Sequence, residues 1–264
     1  MARNVRCGLQ LSRRAAQSGL IAAQRTVRAE ILDELPAADA RAIRSRRDLR
    51  RVNRMMGSCG ILSRAVRHAL ASSSAHKGRL RILELGAGDG SLALRIAKRL
   101  ATALPAAELT LLDRQALIGN ATGTAFAHLG WTLRPLTVDA LEWARAPTRP
   151  QRFGRWDVIL ANLFLHHFEE DALRELLFAV AQRCEAFIAC EPRRSVPAIL
   201  GSRLLPALAV SRDTLYDAIV SVYAGFRGEE LTRMWPARPA CWRIAERPAG
   251  LFSHLFVAAR VDAA

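Results

Sequence analysis

The sequence predicts an α/β fold in which a mostly parallel sheet of seven strands carries helices on both faces. Three observations predict it. The stretch from Arg79 to Leu100 has the pattern of a strand, a glycine-rich turn and a helix. Short apolar segments then alternate with amphipathic helical segments up to residue 235, as in parallel sheets with helical crossovers. Two apolar segments joined by a short turn end the chain, which favours a final antiparallel pair.

The stretch 79–100, RLRILELGAGDGSLALRIAKRL, begins with an apolar run that predicts a strand. Three glycines follow within five residues, Gly86, Gly88 and Gly90, and they allow the backbone to approach a ligand closely. Ser91 is a favoured N-cap residue, and the apolar residues after it recur at helical spacing. This unit is expected to open the ligand-binding domain, over residues 79–264.

The part of the chain before this unit is predicted to be a helical lid over 26–78, preceded by a flexible extension over 1–25. Apolar residues at helical spacing predict three helices in the lid, over 26–35, 38–56 and 61–70. The apolar residues of the second helix that are expected to face inward are Ile43, Leu49, Val52 and Met55 or Met56.

Further elements are predicted in order beyond Leu100. Strands are expected over 108–112, 131–138, 156–161, 186–190, 242–246 and 251–259. Helices are expected over 116–128, 140–146, 169–183, 197–210 and 229–235. The run Trp156–Ala161 is apolar almost throughout, which is typical of a strand buried on both faces.

The composition allows a large folded domain, since 51% of the 264 residues are hydrophobic. No apolar run approaches the roughly 18 residues of a membrane span. The net charge is +15, and residues 1–54 contribute thirteen arginines against five acids, a surplus of 13 − 5 = +8. Such a charge is compatible with a nucleic-acid partner. However, much of this charge lies near the N-terminus, and the chain has only two lysines, Lys77 and Lys98. Both features favour a simpler origin of the charge, the arginine-rich composition that a GC-rich genome produces.

The cysteines are scattered, at Cys7, Cys59, Cys184, Cys190 and Cys241. They form no C-x-x-C pair, so we expect neither a zinc site nor a redox motif, and no metal is predicted. The pair Arg13-Arg14 interrupts any signal-peptide core, while an arginine-rich start slightly resembles a mitochondrial presequence. A cytoplasmic, reducing location is favoured over a mitochondrial one.

The glycine turn indicates which class of ligand to expect. The dinucleotide fingerprint G-x-G-x-x-G would need a glycine where the chain has Ser91. Glu84, at the end of the strand, would repel a phosphate but would suit a ligand with an ammonium or sulfonium group. Both features disfavour a nicotinamide oxidoreductase. The segment ELGAGDG, residues 84–90, resembles motif I of class I S-adenosylmethionine (SAM)-dependent methyltransferases, which implies a Rossmann-like sheet and SAM as the cofactor.

Polar residues follow the next strands at the edge where open α/β sheets bind ligands. Asp113 follows the second strand, and a carboxylate there can accept two hydrogen bonds from ribose hydroxyls. Asp139 follows the third strand and Asn162 the fourth, while Glu191 ends the fifth. The resemblance implies that Asp139 accepts a bond from the adenine amino group and that Asn162 lies beside the sulfonium. The predicted cofactor-binding residues are Glu84, Gly86, Ala87, Gly88, Gly90, Asp113, Arg114, Asp139, Ala140, Asn162 and Leu163.

The fourth strand and its exit, WDVILANLFLHHF over 156–168, resemble the D-x-I-x-x-N-x-x-L-H-H segment of small-molecule methyltransferases of this class. The resemblance has specific motifs over about residues 80–192 and is looser over 213–261. Its later part is similar to bacterial enzymes of polyketide or phenolic-lipid pathways. It implies methyl transfer to a small molecule, on an oxygen of an aromatic or polyketide-like acceptor. A phenol needs a base at neutral pH, and the candidate catalytic residues are His166, His167 and His254.

Two alternatives stay open at this point. A nucleic-acid methyltransferase is suggested by the charge, but the segment after the fourth strand lacks the Asn/Asp-Pro-Pro-Tyr/Phe pattern that grips a flipped base. The second alternative is a protein that binds SAM but has lost catalysis and acts as a partner subunit. The acceptor pocket is expected to be lined by residues 57–78, 163–168 and 193–228, and a homodimer is left open.

Overall fold

The computed structural model describes residues 24–71, 79–104, 106–147, 155–205, 209–236 and 241–261. The strands in these parts of the chain are β1 Leu80–Leu85, β2 Ala107–Asp113, β3 Thr132–Thr137, β4 Trp156–Asn162, β5 Cys184–Pro192, β6 Trp242–Ala249 and β7 Ser253–Arg260. The helices are α1 Ile31–Glu34, α2 Ala40–Met55, α3 Ser58–Ala71, α4 Ser91–Leu100, α5 Asn120–Ala127, α6 Ala140–Arg145, α7 Glu170–Arg183, α8 Val196–Arg203, α9 Arg212–Ala224 and α10 Glu230–Met234. A 3₁₀ turn, Leu165–His167, follows β4. Among the described helices, none is long and apolar enough to cross a bilayer.

The strands form one sheet in the order β3-β2-β1-β4-β5-β7-β6, which confirms the predicted fold class. All neighbouring pairs up to β5 are parallel, and β7 runs antiparallel to β5 and β6. The order reverses between β1 and β4. Leu85 of β1 lies opposite Leu112 of β2 and Ala161 of β4. The residues that follow these three strands therefore meet at one edge of the sheet, at its switch point.

The core lies on the two faces of the sheet, because successive strand residues point to opposite sides. In β1, Leu80 and Ile82 join the cluster that packs against α3 and α4, whereas Leu83 and Leu85 join the cluster that packs against α6 and α7. Both clusters consist mainly of aliphatic side chains that are less than a tenth exposed. This double cover is the reason why the central strands are apolar almost throughout.

The N-terminal helices differ from the prediction in two ways. The segment before Ile31 is extended, so the first helix covers only Ile31–Glu34 and not 26–35. In helix α2 the predicted inward residue Ile43 is 48% exposed, whereas Val52 is buried as predicted. The residues of α2 that are buried are Ala42, Ser45, Asp48 and Val52.

Helix α2 also makes a buried polar contact that hydrophobic periodicity does not register. Asp48 is 2% exposed and accepts hydrogen bonds from the Ser211 backbone N–H at 2.9 Å and the Thr214 hydroxyl at 3.3 Å. Both donors lie at the start of α9, a helix that the sequence analysis did not predict. The start of α9 is also capped by Ser211, whose hydroxyl accepts from the Thr214 N–H at 3.2 Å. A buried polar contact therefore holds α2 against the start of α9.

The predicted flexible extension, 1–25, lies outside the described residues up to residue 23. At its end, the Arg25 guanidinium donates to the carbonyls of Ala224 at 2.8 Å and Phe168 at 2.7 Å. This contact fastens the segment that follows, 26–30, against the exit of β4. The predicted boundary between lid and ligand-binding domain, at 78, also falls in a part of the chain outside the described residues.

Candidate active site

A cavity of about 440 Å³ opens at the carboxyl ends of β1, β2 and β4, under α2, α8 and α9. Its volume lies within the range of roughly 300–1,000 Å³ that is usual for small-molecule sites. The predicted site residues that line it are Glu84, Gly86, Ala87, Gly88, Asp113, Arg114, Asp139, Ala140, Asn162, Leu163, His166 and His167. Gly90 and His254 are not among its lining residues. Apart from these two residues, the predicted site residues thus meet around one cavity.

The glycine turn after β1 has the left-handed backbone that only glycine adopts without strain. The φ angles of Gly86, Gly88 and Gly90 are +66°, +56° and +71°. A Cβ at Gly90 would lie 2.8 Å from the Leu111 side chain, so this glycine allows α4 to pack on β2. Around Gly88 no heavy atom lies within 4 Å of such a Cβ, which leaves space for a ligand along the turn.

Glu84 is a buried acid at the floor of this turn. It is 3% exposed, and its Oε2 has no hydrogen-bond partner among the described residues. Burial, followed by the negative charges of Asp113 and Asp89, raises the pKa of Glu84 to about 8. An unpaired buried carboxyl is unfavourable in a protein interior. Since Glu84 lines the cavity, the site is best satisfied by a ligand that brings a positively charged donor.

Asp113 ties the end of β2 to the glycine turn. Its Oδ2 accepts a hydrogen bond from the Gly88 backbone N–H at 2.8 Å, and its Oδ1 accepts one from the Gln115 N–H at 2.9 Å. A carboxylate has about four lone-pair positions, so the same oxygens can also accept bonds from a ligand. The neighbouring Arg114 forms an ion pair with Asp33 at 3.2 Å, which connects this strand end to α1.

Asp139 acts as the N-cap of α6, because its Oδ1 accepts from the backbone N–H groups of Leu141 at 2.8 Å and Glu142 at 3.2 Å. This is the simple helix-cap role that a lone acid at a strand end often has. Asp139 also lines the cavity, so capping holds the carboxylate in place without removing it from the site. Its predicted contact with an adenine amino group stays a prediction.

The turn after β4 is held by Glu191, which is fully buried in β5 rather than directed at a ligand. Its carboxylate accepts from the backbone N–H of Phe164 at 3.1 Å and Leu165 at 3.0 Å. Leu163 has a left-handed φ of 49°, an uncommon conformation for a residue with a side chain. Such strain persists where the surroundings fix it, and here it directs the turn toward the cavity.

Asn162 ends β4 and provides a second unsatisfied acceptor in the cavity wall. Its Nδ2 donates to the Oδ1 of Asn53 in α2 at 3.0 Å. Its own Oδ1 is buried and has no partner among the described residues. Two side-chain oxygens without a hydrogen-bond partner among the described residues, one on Asn162 and one on Glu84, therefore line the same cavity. They indicate a ligand that is rich in hydrogen-bond donors.

The two histidines after β4 lie together, with their ring centres 4.2 Å apart. His166 is 2% exposed and bridges two acids: its Nδ1 lies 2.8 Å from Glu191 and its Nε2 lies 3.1 Å from Glu30. His167 has its Nδ1 at 2.9 Å from the Phe164 carbonyl and its Nε2 at 3.4 Å from Glu30. Neither ring therefore has a nitrogen that faces the cavity without a partner.

The carboxylates beside this pair of histidines favour a protonated ring, whereas a general base must be neutral. Burial lowers the pKa of His167, but the carboxylates of Glu30 and then Asp33 outweigh burial and raise it to about 9. The same interactions run in the other direction at Glu30, where burial raises the pKa and the two histidines more than reverse that effect. In this arrangement His167 holds a proton at neutral pH.

His254 is buried in β7, opposite Glu191 of β5 in the strand register. It is 1% exposed, and its Nε2 lies 2.8 Å from Glu246 of β6. Glu246 in turn accepts from the Thr232 backbone N–H at 2.7 Å, so the pair fastens α10 to the antiparallel strands. The structure does not bring His254 together with His166 and His167 in the cavity, and we leave it out of the proposed site.

Sequence reasoning missed two acids that complete the site, whereas the lid residues Leu49, Val52, Met55 and Met56 belong to the predicted inward face. Glu30 and Asp33 come from the N-terminal segment, more than 130 residues before the histidines in the chain. The lining residues contributed by α2 and the residue after it are Arg46, Leu49, Arg50, Val52, Asn53, Met55 and Met56. The described part of 57–78 lines nothing in the cavity, which corrects the predicted acceptor wall. The predicted segments 163–168 and 193–228 do contribute to it.

Gly86 provides a direct test of this geometry. A Cβ at this position would lie 2.2 Å from the Phe164 ring, and the φ of +66° is itself unfavourable for alanine. We expect Gly86→Ala to destabilise the fold by roughly 2–4 kcal/mol and to displace Phe164 from the cavity wall. Gly119→Ala is the control, since nothing lies within 4 Å of a Cβ there and its φ is −84°. Equal melting temperatures for the two variants would contradict the described turn.

Comparison with solved structures identifies the fold. The plantazolicin methyltransferase BpumL in complex with SAH is 16% identical, with 85% of this chain and 91% of that chain covered and a TM-score of 0.56. BpumL with a monoazolic desmethylPZN analog and SAH is 12% identical, with 96% and 100% covered and a TM-score of 0.58. An O-methyltransferase family protein from Burkholderia thailandensis is 15% identical, with 92% of this chain and 66% of that chain covered and a TM-score of 0.54. The chain therefore has the fold of class I SAM-dependent methyltransferases.

These identities are low, so the likeness concerns the architecture and leaves the substrate undetermined. No protein-family model and no curated protein sequence matches the chain.

Proposed function

We propose that the chain is a SAM-dependent methyltransferase that transfers a methyl group to an oxygen of a small, aromatic or polyketide-like acceptor. The observation that carries this proposal is the unpaired, buried carboxyl of Glu84 beside the glycine turn, inside the cavity. SAM has an ammonium group and a sulfonium centre, and a buried carboxylate is the natural partner of such a cation. A phosphate-bearing coenzyme would disfavour ionisation of the same group and would meet repulsion from its ionised form.

The other predicted cofactor-binding residues that line the cavity fit the rest of the SAM molecule. Together with Glu84 they form the side of the cavity that would hold the methyl donor, which we call the donor side. Gly86 and Gly88 leave room for the backbone to approach it, and Asp113 is the acceptor that ribose hydroxyls need. Asp139, Ala140, Asn162 and Leu163 also line the cavity. We assign the first two to the adenine and the last two to the sulfonium end. In methyl transfer the enzyme mainly aligns the acceptor with the methyl group, which is worth several kcal/mol.

The part of the cavity that would hold the methyl acceptor, which we call the acceptor side, has apolar walls and one group of ionisable residues. The apolar lining residues beyond the donor side are Leu32, Leu49, Val52, Met55, Met56, Phe168, Ala198, Leu205, Val222 and Phe252. The ionisable residues Glu30, His166 and His167 line the same cavity, and we call this cluster the charged corner. An acceptor with a largely apolar body and one ionisable hydroxyl matches this division. The solved methyltransferase structures with SAH that resemble this chain support methyl transfer. The acceptors of those enzymes are not proposed as acceptors of this chain.

The nucleic-acid alternative is weaker, because part of the basic surface is engaged within the chain. Arg41 pairs with Asp213 at 2.8 Å, Arg50 with Asp89 at 2.7 Å and Arg51 with Asp48 at 3.1 Å. The alternative of a non-catalytic SAM-binding partner is also weaker, since the cavity extends past the donor residues to the charged corner. We propose an enzyme with a small-molecule substrate on these grounds, and its cytoplasmic location stays a prediction from the sequence.

Calorimetric titration tests the proposal most directly. SAM and its demethylated product SAH are expected to bind at one site per chain, while NADH is expected to give no heat. A SAM-consumption screen over phenols and acyl resorcinols then addresses the acceptor. Binding of NADH without binding of SAM or SAH would overturn the proposal.

The two histidines are expected to act on the acceptor and not on SAM. His166→Ala and His167→Ala should leave SAM affinity within about threefold of the wild type and lower turnover by roughly 10²- to 10⁴-fold. Titration calorimetry and initial rates on the same samples separate the two effects. Unchanged turnover of both variants over a full pH profile would remove the pair from the mechanism.

A further inference from the structure

The charged corner of the cavity joins two distant parts of the chain through Glu30, Asp33, His166 and His167. Glu30 is 7% exposed and His166 is 2% exposed, so much of this cluster is shielded from water. One ligand-type atom from each of Glu30, His166 and His167 lies within 4.8 Å of the other two. Three such groups converge on one small volume that borders the cavity.

The hydrogen bonds of the two rings fix where their first protons lie. His166 has its Nδ1 at 2.8 Å from the Glu191 carboxylate, and His167 has its Nδ1 at 2.9 Å from the Phe164 carbonyl. Carboxylate and carbonyl oxygens only accept, so each Nδ1 carries a hydrogen. The neutral form of each ring then has a lone pair on Nε2. Both lone pairs point at carboxylate oxygens, an arrangement that is satisfied either by a proton on Nε2, as at His167 in the metal-free protein, or by a metal cation between the groups.

The distances show what kind of cation fits. The Nε2 of His166 lies 3.1 Å from Glu30, and the Nε2 of His167 lies 3.4 Å from both Glu30 and Asp33. A proton shared as a charge-assisted hydrogen bond brings nitrogen and oxygen to about 2.7–2.9 Å. Atoms that bind one metal ion at about 2.0–2.2 Å lie roughly 2.8–3.6 Å apart along the edges of an octahedron or tetrahedron. The two separations of 3.4 Å fall in the second range, and the 3.1 Å between His166 and Glu30 fits either a hydrogen bond or a shared ion.

We propose that Glu30, His166 and His167 bind one divalent transition-metal ion, with Asp33 as a further carboxylate beside His167. Two imidazole nitrogens and a carboxylate oxygen form a donor set that suits zinc or iron better than magnesium or calcium. Three protein ligands with one remaining position is also the arrangement that catalytic zinc sites use. The site is independent of which methyl donor the protein binds.

The second layer around the proposed ion supports this assignment. Metal-binding histidines usually donate their other ring N–H to a carboxylate or a backbone carbonyl, which fixes the ring and its tautomer. His166 has Glu191 in that role, and His167 has the Phe164 carbonyl. The Ser221 hydroxyl donates to Glu30 and fixes the carboxylate in the same way.

An ion at this position would bind the acceptor hydroxyl at its remaining position, next to the donor side of the cavity. A bound divalent ion lowers the pKa of a coordinated hydroxyl strongly, as zinc does with water. The acceptor oxygen would then lose its proton without a free histidine base. This explains why the structure pairs both Nε2 atoms with carboxylates instead of leaving one available.

The test uses the full-length chain without a histidine tag, stripped with a chelator and titrated with Zn²⁺ by calorimetry. We expect one ion per chain. Co²⁺ serves as a second probe, and its visible absorption bands are expected to indicate nitrogen ligands. His167→Gln should weaken Zn²⁺ binding by at least about 100-fold, and Glu191→Gln by roughly 10- to 100-fold through loss of the support to His166.

Two further variants keep the test decisive. Asp33→Asn changes a side chain that is 39% exposed, so it is expected to fold and to weaken Zn²⁺ binding by about tenfold. His128→Gln is the control, because His128 is exposed at the end of α5 and its loss should change nothing. Absence of Zn²⁺ binding, or equal affinity in the wild type and His167→Gln, would overturn the metal site. SAM binding measured on the same stripped samples reports separately on the proposed function.

Discussion

Replacing Asp113 by alanine is expected to weaken SAM binding by roughly 100-fold or more. A carboxylate that accepts two hydrogen bonds from ribose hydroxyls contributes about 1.5–3 kcal/mol for each bond. The same carboxylate accepts the Gly88 N–H at 2.8 Å, so its removal also releases the glycine turn from β2. Titration calorimetry with SAM and SAH measures the loss directly.

Two comparisons separate ligand binding from damage to the fold. Asp113→Asn keeps the size and one acceptor oxygen, and we expect it to lose about tenfold in affinity. Asp171→Ala removes an exposed acid in the first turn of α7 and should leave SAM affinity unchanged. If Asp113→Ala binds SAM as the wild type does, Asp113 has no role in holding the ribose.

Much of the fold and of the donor side follows from local sequence patterns. The strand, turn and helix around Gly86 are fixed by apolar spacing and by glycines whose φ angles are positive. Because Leu85, Leu112 and Ala161 lie in register, the residues after their strands meet at one edge without any further information. A rule about strand ends is therefore sufficient to place Asp113 and Asn162 in one cavity.

The charged corner of the acceptor side could not be predicted, because its contacts join distant segments through polar groups. Glu30 lies in an extended stretch before α1 and meets His166 across 136 positions of the chain. Its only sequence signal is an acid in an arginine-rich region, which by itself suggests an ordinary surface residue. Cysteine spacing, a common sequence signal for a metal site, does not reveal a set formed by two adjacent histidines and a remote acid. Hydrophobic periodicity misses the buried Asp48 of α2 for the same reason.

Glu84→Gln is expected to have the second large effect, with opposite signs for binding and for stability. The amide keeps the shape of the side chain but cannot pair with an ammonium as a charged partner. We expect SAM affinity to fall by roughly 10- to 100-fold, since hydrogen bonds to charged groups contribute about 1.5–3 kcal/mol. Glu142→Gln, at an exposed position in α6, is the control and should bind SAM normally.

The pKa of Glu84 makes the binding of SAM depend on pH in the wild type. In the free protein this pKa is raised to about 8 by burial and by the charges of Asp113 and Asp89, so the group is protonated at neutral pH. A bound ammonium favours the ionised form, and binding should therefore release about one proton. Affinity is expected to increase by up to about tenfold for each pH unit between about pH 6 and 7.5. Calorimetry in buffers of different ionisation enthalpy counts the proton, and Glu84→Gln should release none.

The same shift predicts that Glu84→Gln stabilises the chain when no ligand is present. Between its ordinary value of 4.5 and about 8, Glu84 is ionised in the unfolded chain but protonated in the folded one. The folded state then binds more protons, so the free energy of unfolding falls as pH rises through this window. Removing the acid should raise stability by roughly 2–5 kcal/mol above pH 8 and by almost nothing near pH 4.5. A variant that binds SAM less tightly and yet unfolds at a higher temperature cannot be explained by a damaged fold. A gain in stability that is absent at pH 8.5 would mean that Glu84 is not the strained, unpaired acid on which SAM recognition depends.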